Sequence, residues 1–193
     1  MGSELITIGR HGHEVALKTF DLLSSEDQQK TAEIISHATT QPDINGELPQ
    51  MLPMNPCDLY KKFMGLVASV DGEFAGFIGA STPISHEGQA MSEVGSLWVE
   101  SGLRQHGIGG LLVNAASHLL QLENIRAYAF CNPHSIGLFA RNQYTPATLL
   151  DVPQEAGSLC AQCPMLGARK LGVECCDTVM VYNNREEVGQ WTR

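Results

Sequence analysis

The chain has 193 residues, 43% of them hydrophobic, which fits one domain with a core of its own. Only 17% are charged and the formal net charge is −9, so a polyanion such as DNA or RNA is repelled, and no basic patch along the sequence offsets this. The apolar stretches are short and interrupted by Gly, Ser or charged residues, which leaves nothing to cross a bilayer core of about 30 Å. Met1-Gly2-Ser3-Glu4 lacks the basic and apolar parts of a secretory leader, so a soluble, cytoplasmic protein is expected. In that reducing compartment the six cysteines are expected as buried, reactive or metal-bound thiols rather than bridges.

In chain order, Leu5 to Ile8 is a short β-branched run that predicts an edge strand. Ser24-Ser25-Glu26-Asp27-Gln28 offers a hydroxyl cap followed by acids at the positive end of a helix dipole, and predicts a helix to about Ala38. Pro42, Gly46, Pro49, Pro53 and Pro56 predict a loop, with one short helix near Asp58 to Met64. Leu66 to Val70 and Phe74 to Ala80, joined by Asp71-Gly72, predict a hairpin closed by a type I′ turn. A polar turn at His86 to Gln89 leads to a third antiparallel strand, Glu93 to Val99. Ile108, Leu111, Leu112, Ala115, Ala116, Leu119 and Leu120 recur at three and four spacing and predict an amphipathic helix lying on a sheet. Arg126 to Cys131 is a strand, Pro133 to Asn142 a helix with Asn132 as its cap, and Thr178 to Tyr182 a final strand.

The segment with chemical content joins the third strand to the periodic helix: Glu100-Ser101-Gly102-Leu103-Arg104-Gln105-His106-Gly107-Ile108-Gly109-Gly110. Its glycines fall where the helix begins. Residues without Cβ admit an anion to the backbone, and the first turn supplies N–H donors and positive potential, so a pyrophosphate fits there. Arg104 adds a permanently charged planar fork for phosphate oxygens. The bland alternative is a Gly-rich turn that only packs strand on helix. A P-loop is excluded by the absence of Gly-Lys-Ser/Thr, and a dinucleotide fold by the antiparallel strands upstream.

Arg104, Gly107 and Gly109 fill the three defining positions of a motif, Arg/Gln-x-x-Gly-x-Gly/Ala. The segment thereby resembles the acyl-CoA binding turn of the GNAT (GCN5-related N-acetyltransferase) superfamily. Glu93-Val94-Gly95-Ser96-Leu97-Trp98-Val99 is similar to that family's fourth strand, and Asn132-Pro133-His134-Ser135 with Leu138-Phe139 and Tyr144 to the segment after its fifth. The resemblance covers about residues 66 to 145. It implies an acyl-CoA N-acyltransferase fold: a three-layer α/β/α sandwich with a mixed, mostly antiparallel central sheet that splays open. It also implies that acetyl-CoA lies in the cleft. The backbone near Leu97, Trp98 and Val99 would pair with the pantetheine arm and the N–H groups of Gln105, His106, Gly107, Ile108, Gly109 and Gly110 would hold the pyrophosphate beside Arg104. Asn132 and Ser135 would meet the arm from the other side.

The implied reaction is direct attack of a neutral primary amine, of a small molecule or a protein, on the thioester carbonyl. It needs positioning, a proton acceptor and donors to the developing oxyanion. Glu93 is the base candidate, set against the alternative of a solvated strand-end carboxylate. Where many relatives carry a tyrosine as general acid, this chain has Phe139, which has no proton to give; Tyr144, His134 or water are the substitutes, with Tyr144 expected in the core. His106 is expected beside phosphate or solvent rather than as a base. Acceptor loops are expected at Gln41 to Pro56 and Ser81 to Gln89, and the acidic surface favours a cationic acceptor. The other readings are a catalytically silent acyl-CoA-binding sensor and a metal-stapled interaction module. A homodimer is compatible with the resemblance, but one chain reveals no interface.

The module rests on Cys160-Ala161-Gln162-Cys163, followed by Cys175-Cys176, which form a Cys-rich insertion at about 157–177 of an otherwise single domain spanning 1–193. Cys160, Cys163, Cys175 and Cys176 are candidate zinc ligands. Against this, adjacent cysteines on a strand point to opposite sides, and the alternative is two or three buried thiols with one redox-active pair. His11 and His13 are expected exposed rather than ligating.

Overall fold

A computed structural model describes residues 6–10, 13–40, 54–161, 176 and 178–183, with side chains described for 14–40, 54–157, 176 and 178–183. The chain runs β1 (Ile6–Arg10), β2 (His13–Thr19), α1 (Ser25–Thr40), α2 (Pro56–Leu59), β3 (Met64–Val70), β4 (Glu73–Ala80), β5 (Ile84–His86) and β6 (Gln89–Val99). Then come α3 (Ile108–Leu122), β7 (Arg126–Cys131), α4 (Pro133–Arg141), β8 (Tyr144–Ala147), α5 (Gln154–Ala161) and β9 (Thr178–Tyr182). The sheet order is β1-β2-β3-β4-β6-β7-β9-β8, with β5 paired to β6 off this path. Among the described residues only the β6–β7 pairing is parallel, so the sheet is mixed and mostly antiparallel.

Alternation along the strands sends two sets of side chains to two faces. On one face Ile78, Ala80, Val94 and Ala129 meet Ile108, Leu112, Val113 and Ala116 of α3 and Phe139 of α4. On the other, Val67 and Phe77 pack with Ala32 and Ile35 of α1 and Leu59 of α2, while Met91, Tyr128, Val179 and Val181 pack with Val152 and with Ala156 of α5. This is the three-layer sandwich the resemblance implied. Gly76 has no room for a side chain, because a Cβ there would stand 2.7 Å from the Trp98 carbonyl oxygen of the neighbouring strand and 3.2 Å from Leu112 of α3.

Asp71 (φ 50°) and Gly72 (φ 84°) both occupy the left-handed region, as the type I′ turn requires. Differences from the sequence expectations have local causes. Strand β2 is carried by pairing to β3 from Val15↔Val70 to Thr19↔Leu66, a long-range gain that its mixed sequence His13–Thr19 does not advertise. The short helix ends at Leu59, before the expected Met64, because Met64 is already paired with Ala80 in the sheet. Strand β6 begins four residues earlier than expected, paired with β5 across the Glu87-Gly88 turn. Strand β8, from Tyr144, and α5 were not expected. The backbone of Cys160 is part of α5, so the first cysteine of the Cys-x-x-Cys sequence stands on a helix and not in a turn.

Candidate active site

The centre of the sheet opens. Strands β6 and β7 pair at Met91↔Arg126, Ser92↔Ala127 and Glu93↔Tyr128, and the pairing stops there. Past that point β6 stays on β4, through Gly79↔Gly95, Phe77↔Trp98 and Gly76↔Val99, while β7 stays on β9 from Ala129↔Met180 to Cys131↔Thr178. Ser96 marks the departure: it holds a positive φ of 54° where the β4–β6 register shifts, and a bulge of this kind bends a strand away from its neighbour. Neither Val94–Val99 nor Ala129–Cys131 has a partner across the gap in this register.

The turn before α3 closes one end of the opening. The Arg104 Nε donates to the Val99 carbonyl at 3.1 Å, which fixes the guanidinium at the end of β6. His106 Nδ1 lies 2.8 Å from the Arg104 carbonyl; a carbonyl only accepts, so Nδ1 carries the proton and the ring is a strut of the turn. Gly107 caps α3 with φ 86°, which a side chain resists, and brings no capping group. The first helical bond runs from Leu111 N–H to the Gly107 carbonyl at 3.0 Å, so the amides of Ile108, Gly109 and Gly110 precede the helical ladder.

Packing does not explain Gly109 and Gly110. A Cβ on Gly109 would sit 3.5 Å from Leu138, 3.7 Å from Val99 and 3.9 Å from Leu97, and one on Gly110 3.6 Å from Asn142, all ordinary contacts. Glycine costs roughly 1 kcal/mol against alanine inside a helix. A bare surface that the protein's own packing does not demand suits a ligand that needs it, and the residues present therefore fit a diphosphate.

Across the opening, Asn132 caps α4: its Oδ1 accepts from the His134 and Ser135 amides at 3.1 and 2.9 Å, and Ser135 Oγ donates to the Asn132 carbonyl at 3.1 Å. Their first role is to start the helix at the cleft. Trp98, expected at the cofactor, stacks its indole on Phe74 with centroids 5.6 Å apart on the α1 face, so only its backbone is left for the cleft.

Glu93 sits at the branch point, on the face of α1 and α5, directly opposite Tyr128. Its backbone is held by Ser81: the Glu93 amide donates to Ser81 Oγ at 2.9 Å, and the Ser81 amide to the Glu93 carbonyl at 2.9 Å. Its Oε1 lies over Gly95, 3.3 Å from where a Cβ would be. Burial pushes the Glu93 carboxyl above the ordinary range, and Lys62 partly opposes this by favouring the charged form. Tyr128, only 2% exposed, lies within hydrogen-bonding reach of Ser81, and burial, with the Glu93 and Glu155 charges, keeps its phenol protonated. Of the residues around Glu93, sequence reasoning missed Lys62 and Tyr128 and named Ser81 only as the start of an acceptor loop. Only strand register brings them together.

Of the substitutes for a tyrosine acid, the structure places Tyr144 in the core and leaves His134 exposed in the first turn of α4. Phe139 is 3% exposed and meets Tyr144 edge-on at 4.9 Å. Tyr144 is 2% exposed, its hydroxyl 2.7 Å from Ser117 Oγ, and burial raises its pKa, so it belongs to the core as expected. The Cys131 thiol, at the cleft end of β7, is buried and pushed up to about 12, which makes it inert. Cys163, Cys175, His11 and the side chains of Cys160 and His13 lie outside the described residues, as does most of the proposed loop 41–56. Among the described residues no three His, Cys, Asp or Glu side chains gather for a metal, and no helix is long and apolar enough to span a membrane.

The sequence model of the acetyltransferase (GNAT) family matches residues 30–144, which hold the opened seam, the Gly107 turn and the start of α4. The chain belongs to the GNAT acetyltransferase family. No curated protein matches in sequence. Among solved structures, a GNAT-family acetyltransferase from Staphylococcus aureus Mu50 is similar with TM-score 0.58 and 14% identity, covering 88% of this chain and 98% of that one. An acyl-CoA N-acyltransferase from Pseudomonas aeruginosa has TM-score 0.54 and 16% identity over 89% and 99%. The N-acetylglutamate synthase of Neisseria gonorrhoeae, complexed with coenzyme A and L-arginine, has TM-score 0.60 and 13% identity over 89% of this chain and 34% of that one. At such identities the likeness is one of fold, and it agrees with the GNAT sandwich.

Proposed function

We propose that this GNAT domain, taken as one domain over the whole chain, is an acetyl-CoA-dependent N-acetyltransferase acting on a primary amine of a small molecule or protein. The observation that carries the proposal is the convergence at one opening: unladdered amides of α3 at one end, and a desolvated carboxylate at the branch point. Acetyl-CoA, when bound, supplies the activated acetyl group. In this reading the amides of Gln105 to Gly110 and the Arg104 fork hold its diphosphate, and the cleft-side backbone of Leu97–Val99 and the start of α4 at Asn132–Ser135 flank its arm.

The rest falls to this chain's own side chains. Glu93 takes a proton from the arriving ammonium so that a neutral amine attacks, and its raised pKa makes it a better acceptor than an exposed carboxylate. Ser81 holds the Glu93 backbone, and the missing Cβ of Gly95 leaves room for the carboxylate above it. Water or His134 would supply the proton for the departing thiol, since Phe139 has none to give and the Tyr144 hydroxyl is buried against Ser117. That same observation favours a second reading, a silent acyl-CoA-binding sensor. Thiol release on mixing the protein with acetyl-CoA and a panel of amines separates the two: turnover supports the enzyme, and tight coenzyme binding without turnover supports the sensor.

A further inference from the structure

Gly79 and Gly95 stand opposite each other across β4 and β6, on the face that carries Glu93. Opposed residues of an antiparallel pair lie roughly 5 Å apart, so the two glycines leave one bare floor. Each half is covered by a group from elsewhere. Over Gly95 lies the Glu93 carboxylate; over Gly79 lies the stem of Lys62, whose Cδ, Cγ and Cε would stand 3.2, 3.3 and 3.4 Å from a Cβ there.

The placement of Lys62 is built. The Lys62 amide donates to the Leu59 carbonyl at 3.2 Å, and the Phe63 amide to the Ala80 carbonyl at 3.0 Å, which ties the turn after α2 to the end of β4. Its neighbour Lys61 points elsewhere and spends its ammonium on Asp58 at 3.1 Å. Lys62 keeps its ammonium: among the described residues it closes no ion pair, although its charge reaches both Glu93 and Asp58. A contact pair would have locked Glu93 as a salt bridge. Without that pair, the two opposite charges stand over neighbouring glycines of one floor, neither neutralised by contact with the other.

A molecule with a positive and a negative end is complementary to that pair of charges, head to tail. We infer that Lys62 receives a carboxylate of the acceptor while Glu93 receives its amine, so that the preferred acceptors are small amino acids or amino-carboxylates. This rests on the transferase reading above and narrows its acceptor. It differs from the expectation drawn from the net charge of −9, which favours a cationic acceptor, because Lys62 also presents a cation to the acceptor.

The test compares an amino acid with its own amide, which keeps the amine and removes the carboxylate charge, at saturating acetyl-CoA. The wild type should prefer the acid in kcat/KM. Lys62→Met, which keeps the stem over Gly79, should raise KM for the acid at least tenfold and change the amide less than threefold, and Lys62→Arg should recover most of the loss. Comparing the acid-to-amide ratio between proteins cancels the different basicity of the two amines. Equal losses for acid and amide, or a wild type that prefers the amide, would overturn the inference while leaving the transferase intact. A wild type that binds coenzyme but acetylates no amine would sink the transferase and this inference together. Unchanged coenzyme affinity and melting temperature certify that each variant is folded.

Discussion

The two sides of the cleft are made of different material. Toward α3, residues 105–110 offer backbone amides in succession, braced by Arg104 on Val99 and His106 on the Arg104 carbonyl. Toward α1 and α5, the groups are side chains from separate segments, Lys62, Ser81, Glu93 and Tyr128, assembled on the Gly79–Gly95 floor. A surface of amides recognises charge and shape and needs no titration. A surface of side chains supplies acid–base chemistry and depends on how each charge is desolvated. Coenzyme affinity and turnover should therefore be separable by mutation.

The largest effect should come from Glu93→Gln. General-base catalysis contributes about 10²–10⁴-fold, so kcat should fall by that order while calorimetry finds coenzyme A affinity unchanged. A parallel loss of affinity would mean the two sides are not separate. The same substitution should change stability with pH in a defined sense. Because burial raises the Glu93 carboxyl in the folded state, its stabilising contribution is complete below the unfolded pKa and is lost as pH rises through the folded one. At neutral pH the wild type carries a desolvated charge that glutamine lacks, so the variant should melt higher there, with the advantage shrinking toward about pH 4. For the wild type, kcat should rise with pH to a plateau, with its midpoint above that of an ordinary carboxylate.

Next in size, Gly107→Glu should weaken coenzyme A at least about tenfold, since a side chain at φ 86° costs roughly 1–2 kcal/mol and the carboxylate repels phosphate. The rate with saturating cofactor should be far less affected. Two smaller substitutions sharpen the contrast between a glycine kept for packing and one kept for a ligand. Gly76→Ala should destabilise by about 1–3 kcal/mol in denaturant titration, because its Cβ meets the Trp98 carbonyl oxygen at 2.7 Å. Gly109→Ala has room, with its nearest contact at 3.5 Å, and should leave stability unchanged or raise it by up to about 1 kcal/mol while weakening coenzyme A. Smallest of all, Tyr144→Phe should cost about 0.5–1.5 kcal/mol for the bond to Ser117 and leave kcat untouched.

The same contrast explains what the sequence discloses. Arg104, Gly107 and Gly109, the proposed coenzyme turn, are read directly because consecutive amides occupy consecutive letters, and α3 announces itself by its leucine spacing. Glu93 was legible through its place on a recognisable strand. Lys62 was not, for it is one of two adjacent lysines and only the three-dimensional path of the turn after α2 tells them apart. Tyr128 reads as one more aromatic of a buried strand until the parallel register sets it against Glu93. Strand β2 was missed for a related reason: its pairing energy comes from β3, some fifty residues away, and not from its own pattern.

The account depends first on a diphosphate resting on the amides that open α3, and calorimetry with coenzyme A and with pantetheine, which lacks the diphosphate, tests it most directly. The expected result is clear heat for coenzyme A, binding of pantetheine weaker by at least about a hundredfold, and loss of most of that difference in Gly107→Glu. Equal affinity for the two ligands, or full coenzyme affinity in Gly107→Glu, would contradict it.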